Sequence, residues 1–286
     1  MVVLDGSVLS RLYPRVSRYN SPYPAHDAGC AVDLYPDGSD GPDGRALAAP
    51  SPVAGAVVDT RTVACPQRPY ATDTDHLIVI DTGSHLARIL HVEPAVSPGD
   101  TVAVGESLGS LVRSGFFAPW VTNHIHLGFR EHGQNAVRAS GSLPVTLDVA
   151  VRPAPWDGTA TVTAVGDTWA RLDAPSHPAP GDGYAGLATD GGGVVDGGLP
   201  HYETGYATTD ADPVAVLGRA VGDRVSERTV AWRDTVGVTV DDTAVQGLSL
   251  WLGRDELGCT VVAPGHDHAV GDRVAVAVDT HAADTE

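Results

Sequence analysis

Apolar and polar positions alternate over short stretches and then stop. Val, Ile, Leu and Ala runs are cut by Gly, Pro or Asp about every 8–12 residues, the spacing of an all-β chain. The first half predicts strands at Ala31–Leu34, Gly55–Asp59, His76–Asp81, Ala87–His91, Thr101–Val104 and His124–Arg130. Asp81-Thr-Gly-Ser84 and Ser97-Pro-Gly-Asp100 read as turns, since Gly and Pro supply the dihedrals a reversal needs. The second half predicts strands at Thr159–Val165, Thr229–Trp232, Val236–Val240, Cys259–Val262 and Arg273–Val278. A Gly-rich acidic stretch, Gly181 to Gly205, reads as a loop, and Val214–Ala220, after Asp212-Pro213, reads as weakly helical.

Pro144, Pro153, Pro155 and Gly158 cluster between 143 and 158 and mark a linker. The expected organisation is a β domain over 1–145 and a second β-rich domain of unknown role over 158–286. The phrase at 270–279 echoes that at 98–107, as ordinary turn sequences do.

Composition narrows the function classes. The net charge is −18, from 29 Asp and 7 Glu against 18 Arg and no Lys. Such a surface repels phosphate backbones and anionic lipid, so neither nucleic acid nor a membrane is an expected partner. An acidic, lysine-free composition is expected of a halophilic protein. Three cysteines, Cys30, Cys65 and Cys259, make no disulfide framework. No basic leader opens the chain and no apolar stretch is long enough to span a bilayer, so the expectation is a cytoplasmic protein.

The chemistry concentrates in a few positions. In Asn123-His124-Ile125-His126-Leu127-Gly128-Phe129 the two imidazoles share one strand face, and Ile125, Leu127 and Phe129 the other. Asp33 interrupts the apolar strand Cys30–Tyr35, His26 lies just upstream, and His91 closes the run Ala87–Leu90. Two His and one carboxylate, with a position left open, form a catalytic zinc ligand set. Neutral imidazoles suit Zn²⁺ better than Ca²⁺ or Mg²⁺.

In order and interval these segments resemble the lysostaphin/LytM-type zinc metallopeptidases, the glycyl-glycine endopeptidases of bacterial cell walls. "GCAVDLYPDG" with "RALAAPSPVAGAVV" is similar to the family's Asp strand and the segment after it. "HLIVIDTGSHLARILHV" is similar to its central hairpin, and "VSPGDTVAVGESLGSLV" and "NHIHLGFRE" to its closing turn and His-x-His strand. The resemblance covers residues 20 to 145. It implies an antiparallel β-sheet groove domain that hydrolyses a peptide or peptide-containing polymer. His26, Asp33 and His126 are then the Zn²⁺ ligands, with His91 and His124 the catalytic pair beside them. The family's usual His–Asp interval is four residues. Here it is seven, with Gly29 at the usual His position, so a turn through Asp27-Ala28-Gly29 must carry His26 back over the metal. The alternative is a non-catalytic LytM-like domain that keeps the groove as a binding or regulatory surface. A biotinyl or lipoyl carrier is excluded, because carriers need an attachment lysine.

The remaining histidines carry less. His76 and His85, at a strand start and a hairpin tip, are expected to be solvated, and His132 exposed. His266 and His268, and His201 in the Gly-rich stretch, lack a partner carboxylate on a recognisable strand.

Overall fold

The computed structural model describes residues 1–38 and 45–280. Its contacts divide the chain into two units, Met1–Val16 with Ala28–Val149, and Ser17–Asp27 with Ala150–Glu286. Both are built from β-strands, so the all-β reading holds.

In the first unit, one antiparallel sheet carries the candidate residues. The strand Ala31–Tyr35 pairs with Ile125–Arg130, which pairs with Leu86–Leu90, then Thr74–Asp81, Gly55–Ala64 and Thr101–Val102. The centre of this sheet is covered on both faces. Leu77, Ile78, Val79 and Ile80 are each at most 1 % exposed, which explains why that strand reads as a continuous apolar run rather than an alternation. Each such side chain contributes about 1.5–3 kcal/mol on burial. Ala48–Pro50, Ser107–Leu111 and Val92–Pro94 form a smaller sheet, and Val2–Leu4 pairs in parallel with Val145–Leu147. Gly55 sits at φ +158, where an added Cβ would lie 2.1 Å from the Asp81 carbonyl oxygen; this pairing admits no side chain. Arg130, 1 % exposed, donates to the carbonyls of Arg138 at 2.8 Å and Ser140 at 2.9 Å. Its buried charge therefore has partners, and they pin the segment that follows the His126 strand.

The strand pattern missed a helix at Gly6–Leu12. Its signal is Asp5, whose carboxylate accepts from the Ser7 amide at 2.7 Å as an N-cap.

In the second unit, Arg273–Thr280 shows a clean exposed–buried alternation and pairs with Thr159–Gly166 and Val236–Val240. Two expectations fail here. Gly181 to Gly205 is not a loop. It contains the strands Tyr184–Ala188 and Val194–Leu199 and enters Thr204–Ala207. The glycines give room for neighbours: a Cβ on Gly205 would lie 1.8 Å from the Trp232 ring, and one on Gly186 2.8 Å from Leu252. Val214–Ala220 is not helical either. Val214–Val216 and Arg219–Arg224 form a hairpin around Leu217 and Gly218, at φ +51 and +76. Two successive left-handed residues match the twist of a tight β-turn and cannot continue a helix.

Candidate metal and catalytic site

The site starts from strand register. His126 pairs directly with Asp33 across the antiparallel ladder, so their side chains rise from the same face. His126 Nδ1 lies 3.1 Å from Asp33 Oδ1. Around a tetrahedral ion with bonds near 2.1 Å, ligand atoms lie about 3.4 Å apart, so this pair is spaced as two ligands can be. The opposite face of the strand carries Ile125, Leu127 and Phe129, at 0, 0 and 3 % exposure.

His26 lies on the short helix Pro24–Asp27, and Gly29, at φ +65, turns the chain into the Asp33 strand. Its Nδ1 is 2.5 Å from the Arg18 carbonyl oxygen. A carbonyl only accepts, so Nδ1 carries the proton, the usual outer support of a metal-binding His. Asp33 and His126 lie in the first unit, and His26 in the segment grouped with the second. Two imidazoles and one carboxylate fit Zn²⁺ in number and softness. Cys30 is in no disulfide, and its thiol donates to the Ala28 carbonyl at 3.3 Å.

His91 and His124 meet beside this group, their ring centroids 5.2 Å apart, and His91 is 5.9 Å from His126. The His124 Nδ1–H donates to the Thr122 carbonyl at 2.9 Å, and its Nε2 lies 3.5 Å from Asp33 Oδ1. Burial drives the His124 pKa down to about 3, with His91 and His126 adding to the fall and Asp33 opposing it. Its ring stacks on Phe117 at 4.4 Å. His91 has φ +72, a region costly for any residue with a Cβ. Phe117 stands edge-on to it at 4.6 Å.

With this geometry in view, a family profile described as the N-terminal domain of "Domain of unknown function (DUF8155)" matches residues 3–147, and its C-terminal counterpart matches 152–279. The chain belongs to the DUF8155 family. Asp33, His91, His124 and His126 all fall within the DUF8155 N-terminal domain. Among curated proteins none matches. Among solved structures, the catalytic domain of the antimicrobial peptidase lysostaphin from Staphylococcus simulans is similar at 16 % identity and a TM-score of 0.28, covering 46 % of this chain and 89 % of that one. A solution structure of lysostaphin aligns at 14 % identity and a TM-score of 0.27, over 93 % of this chain and 94 % of that one. Likeness at these scores carries no conclusion; the functional reading rests on side-chain geometry.

Sequence reasoning missed three residues of the DUF8155 N-terminal domain that surround the two histidines. Phe117 walls both rings. Asp75 and Ser114, each 0 % exposed, join His91 through hydrogen bonds: His91 Nδ1–H to Asp75 Oδ2 at 2.6 Å, and Ser114 Oγ–H to the same oxygen at 2.6 Å. These partners are 16 and 39 residues apart in sequence, beyond any local pattern. The one local hint is a carboxylate heading the apolar run Leu77–Ile80. Of the other histidines, His132 is exposed and paired with Asp81 at 2.9 Å, while His76 and His85 are part-exposed. His266 Nε2 lies 2.9 Å from the Gly166 carbonyl oxygen and its ring stacks on His268. His201 is half-buried beside Tyr202, and its desolvation lowers its pKa to about 4.

Proposed function

We propose that this chain is a zinc-dependent peptidase or amidase in which His26, Asp33 and His126 hold the metal and His91 and His124 flank it. The observation that carries the reading is the Asp33–His126 pair, 3.1 Å apart across paired strands, beside the two further imidazoles His91 and His124. Zinc, when bound, supplies the Lewis acidity and water activation that amide hydrolysis needs at neutral pH. The chain's own groups do the rest. Asp33 brings one negative charge to the ligand set. His26 and His124 each give an Nδ1–H to a main-chain carbonyl, and His91 gives its Nδ1–H to a carboxylate. His91 and His124 can then take a proton from water at Nε2 during attack and return it to the leaving amine. Phe117 excludes solvent from both catalytic rings, which strengthens electrostatics within the site. The substrate is a peptide or peptide-containing polymer. Catalysis is assigned to the domain over 1–145, and no chemistry is assigned to 158–286.

Metal analysis of purified protein tests this directly, with hydrolysis of quenched oligoglycine and mixed-sequence peptides by wild type and His126→Ala. One zinc per chain is expected, lost together with turnover in the variant. Absence of stoichiometric zinc at neutral pH would sink the proposal. A second reading, a binding domain that retains the groove without turnover, is favoured by burial: His26, Asp33, His91 and His124 are each at most 6 % exposed. It predicts bound zinc and no cleavage of any peptide.

A further inference from the structure

Asp75 is the buried carboxylate to which His91 gives its Nδ1–H. It is 0 % exposed, and four donors meet on its two oxygens. Oδ1 accepts the His76 amide at 2.6 Å and the His91 amide at 3.1 Å. Oδ2 accepts the His91 ring Nδ1–H at 2.6 Å and the Ser114 hydroxyl at 2.6 Å. Both acceptor atoms are thus filled by donors that are themselves fixed: two main-chain amides, one ring, and one hydroxyl that in turn accepts the Phe116 amide at 3.2 Å.

We propose that Asp75, backed by Ser114, is the positioning residue that locks His91 in the Nδ1–H tautomer with Nε2 left open. This rests on the hydrolase reading above for its consequence, though not for its geometry. Asp75 holds His91 at two points, main-chain amide and ring. The first secures a backbone at φ +72 that a residue with a Cβ otherwise avoids. The second fixes ring rotation and tautomer together, as a carboxylate does behind a catalytic imidazole. The contrast with His124 is sharp: its Nδ1–H rests on the neutral Thr122 carbonyl. Two imidazoles 5.2 Å apart are therefore supported differently, one by a carboxylate and one by a peptide oxygen. Charge-assisted bonds are about twice as strong as neutral ones, so His91 is the more firmly oriented ring. Burial acts to raise the Asp75 pKa, but the charge of His91 and the hydrogen bonds from His91, Ser114 and His76 outweigh it and hold the acid at about 2. The carboxylate is thus ionised at any pH where zinc hydrolysis operates.

The test uses the full chain, with and without zinc, as wild type, Asp75→Asn and Ser114→Ala. Nitrogen NMR of the imidazoles, with His91 assigned by its disappearance in His91→Gln, reports the tautomer. Wild type is expected to show Nδ1-protonated His91 and a slowly exchanging, far-downfield Nδ1 proton. In Asp75→Asn an amide NH₂ replaces one oxygen, so a donor faces a donor. His91 is then expected to move toward the Nε2–H form, and kcat to fall about 100-fold with zinc content and KM little changed. A merely structural role predicts lower thermal stability with the tautomer kept. Ser114→Ala leaves the carboxylate in place and removes one donor, so it keeps the test open if Asp75→Asn does not fold; its downfield proton is expected to shift. An Nε2–H tautomer in wild type, an unchanged tautomer in folded Asp75→Asn, or an unmoved proton in Ser114→Ala overturns the proposal. If wild type neither binds zinc nor cleaves peptide, the hydrolase reading fails, while the metal-free spectra still decide the role of Asp75.

Discussion

Acidification from pH 7 to pH 5 is expected to remove about 2 kcal/mol of stability from the metal-free chain through His124 alone. The ring is 3 % exposed and its pKa in the folded chain is about 3, because burial disfavours the imidazolium more strongly than Asp33 favours it. In the unfolded chain the same group titrates near 6.5. Between those values the unfolded chain binds a proton that the folded chain refuses, so stability is complete above pH 6.5 and drains away as the pH falls toward 3. The difference between the two protonation equilibria is about 2 kcal/mol at pH 5 and approaches about 5 kcal/mol at the low end. Asp196 runs the other way: burial raises its pKa to about 6, against hydrogen bonds from the Ser17 hydroxyl and the Arg18 amide, so acid favours its folded form. The raw curve therefore sums opposing groups, and a variant isolates the one of interest. His124→Asn keeps a donor for the Thr122 carbonyl and removes the titration. Urea melts followed by circular dichroism at pH 7 to 5 should show the wild type losing about 2 kcal/mol more than the variant. Parallel curves, within about 0.5 kcal/mol, refute the assignment of His124 as a buried neutral imidazole.

Phe117→Ala should cost about 3–5 kcal/mol by thermal melting, since it empties a buried aromatic position that walls both His91 and His124. Zinc content should be unchanged, because Phe117 supplies no ligand, and the His124 pKa should rise toward its ordinary value as water enters. Gly205→Ala should cost about 3 kcal/mol, because its Cβ would lie 1.8 Å from the Trp232 ring, and the near-ultraviolet signal of Trp232 should change. Gly218→Ala, at φ +76 with nothing within 4 Å of the added Cβ, should cost only about 1 kcal/mol; equal losses at the two positions would contradict the packing argument.

Much of the frame was legible before any coordinates. Strand positions such as Val236–Val240 and Cys259–Val262 coincide with the structure because side-chain alternation and turn residues are local properties. The same locality explains the failures. Glycines in Val194–Leu199 and Thr204–Ala207 resemble a loop until Tyr19 is placed against Gly197 and Trp232 against Gly205; the need for a missing side chain is created by a neighbour distant in sequence. Leu217-Gly218 looked like part of a helix because a Pro start signal precedes a short apolar run, and only the pairing with Arg219–Arg224 revealed a turn.

For the site, the chain by itself determined which groups are available: two imidazoles on one strand face, a carboxylate alone in an apolar strand, and a histidine closing another. It also determined that a turn must lie between His26 and Asp33, since seven residues cannot share one strand face. Tertiary structure decided what those groups are. The Asp33–His126 register places an imidazole nitrogen and a carboxylate oxygen 3.1 Å apart, burial keeps His124 uncharged, and a carboxylate 16 residues away holds His91. Residue type is written in the sequence, but protonation and orientation depend on solvent exclusion and on partners that only folding brings within hydrogen-bond reach.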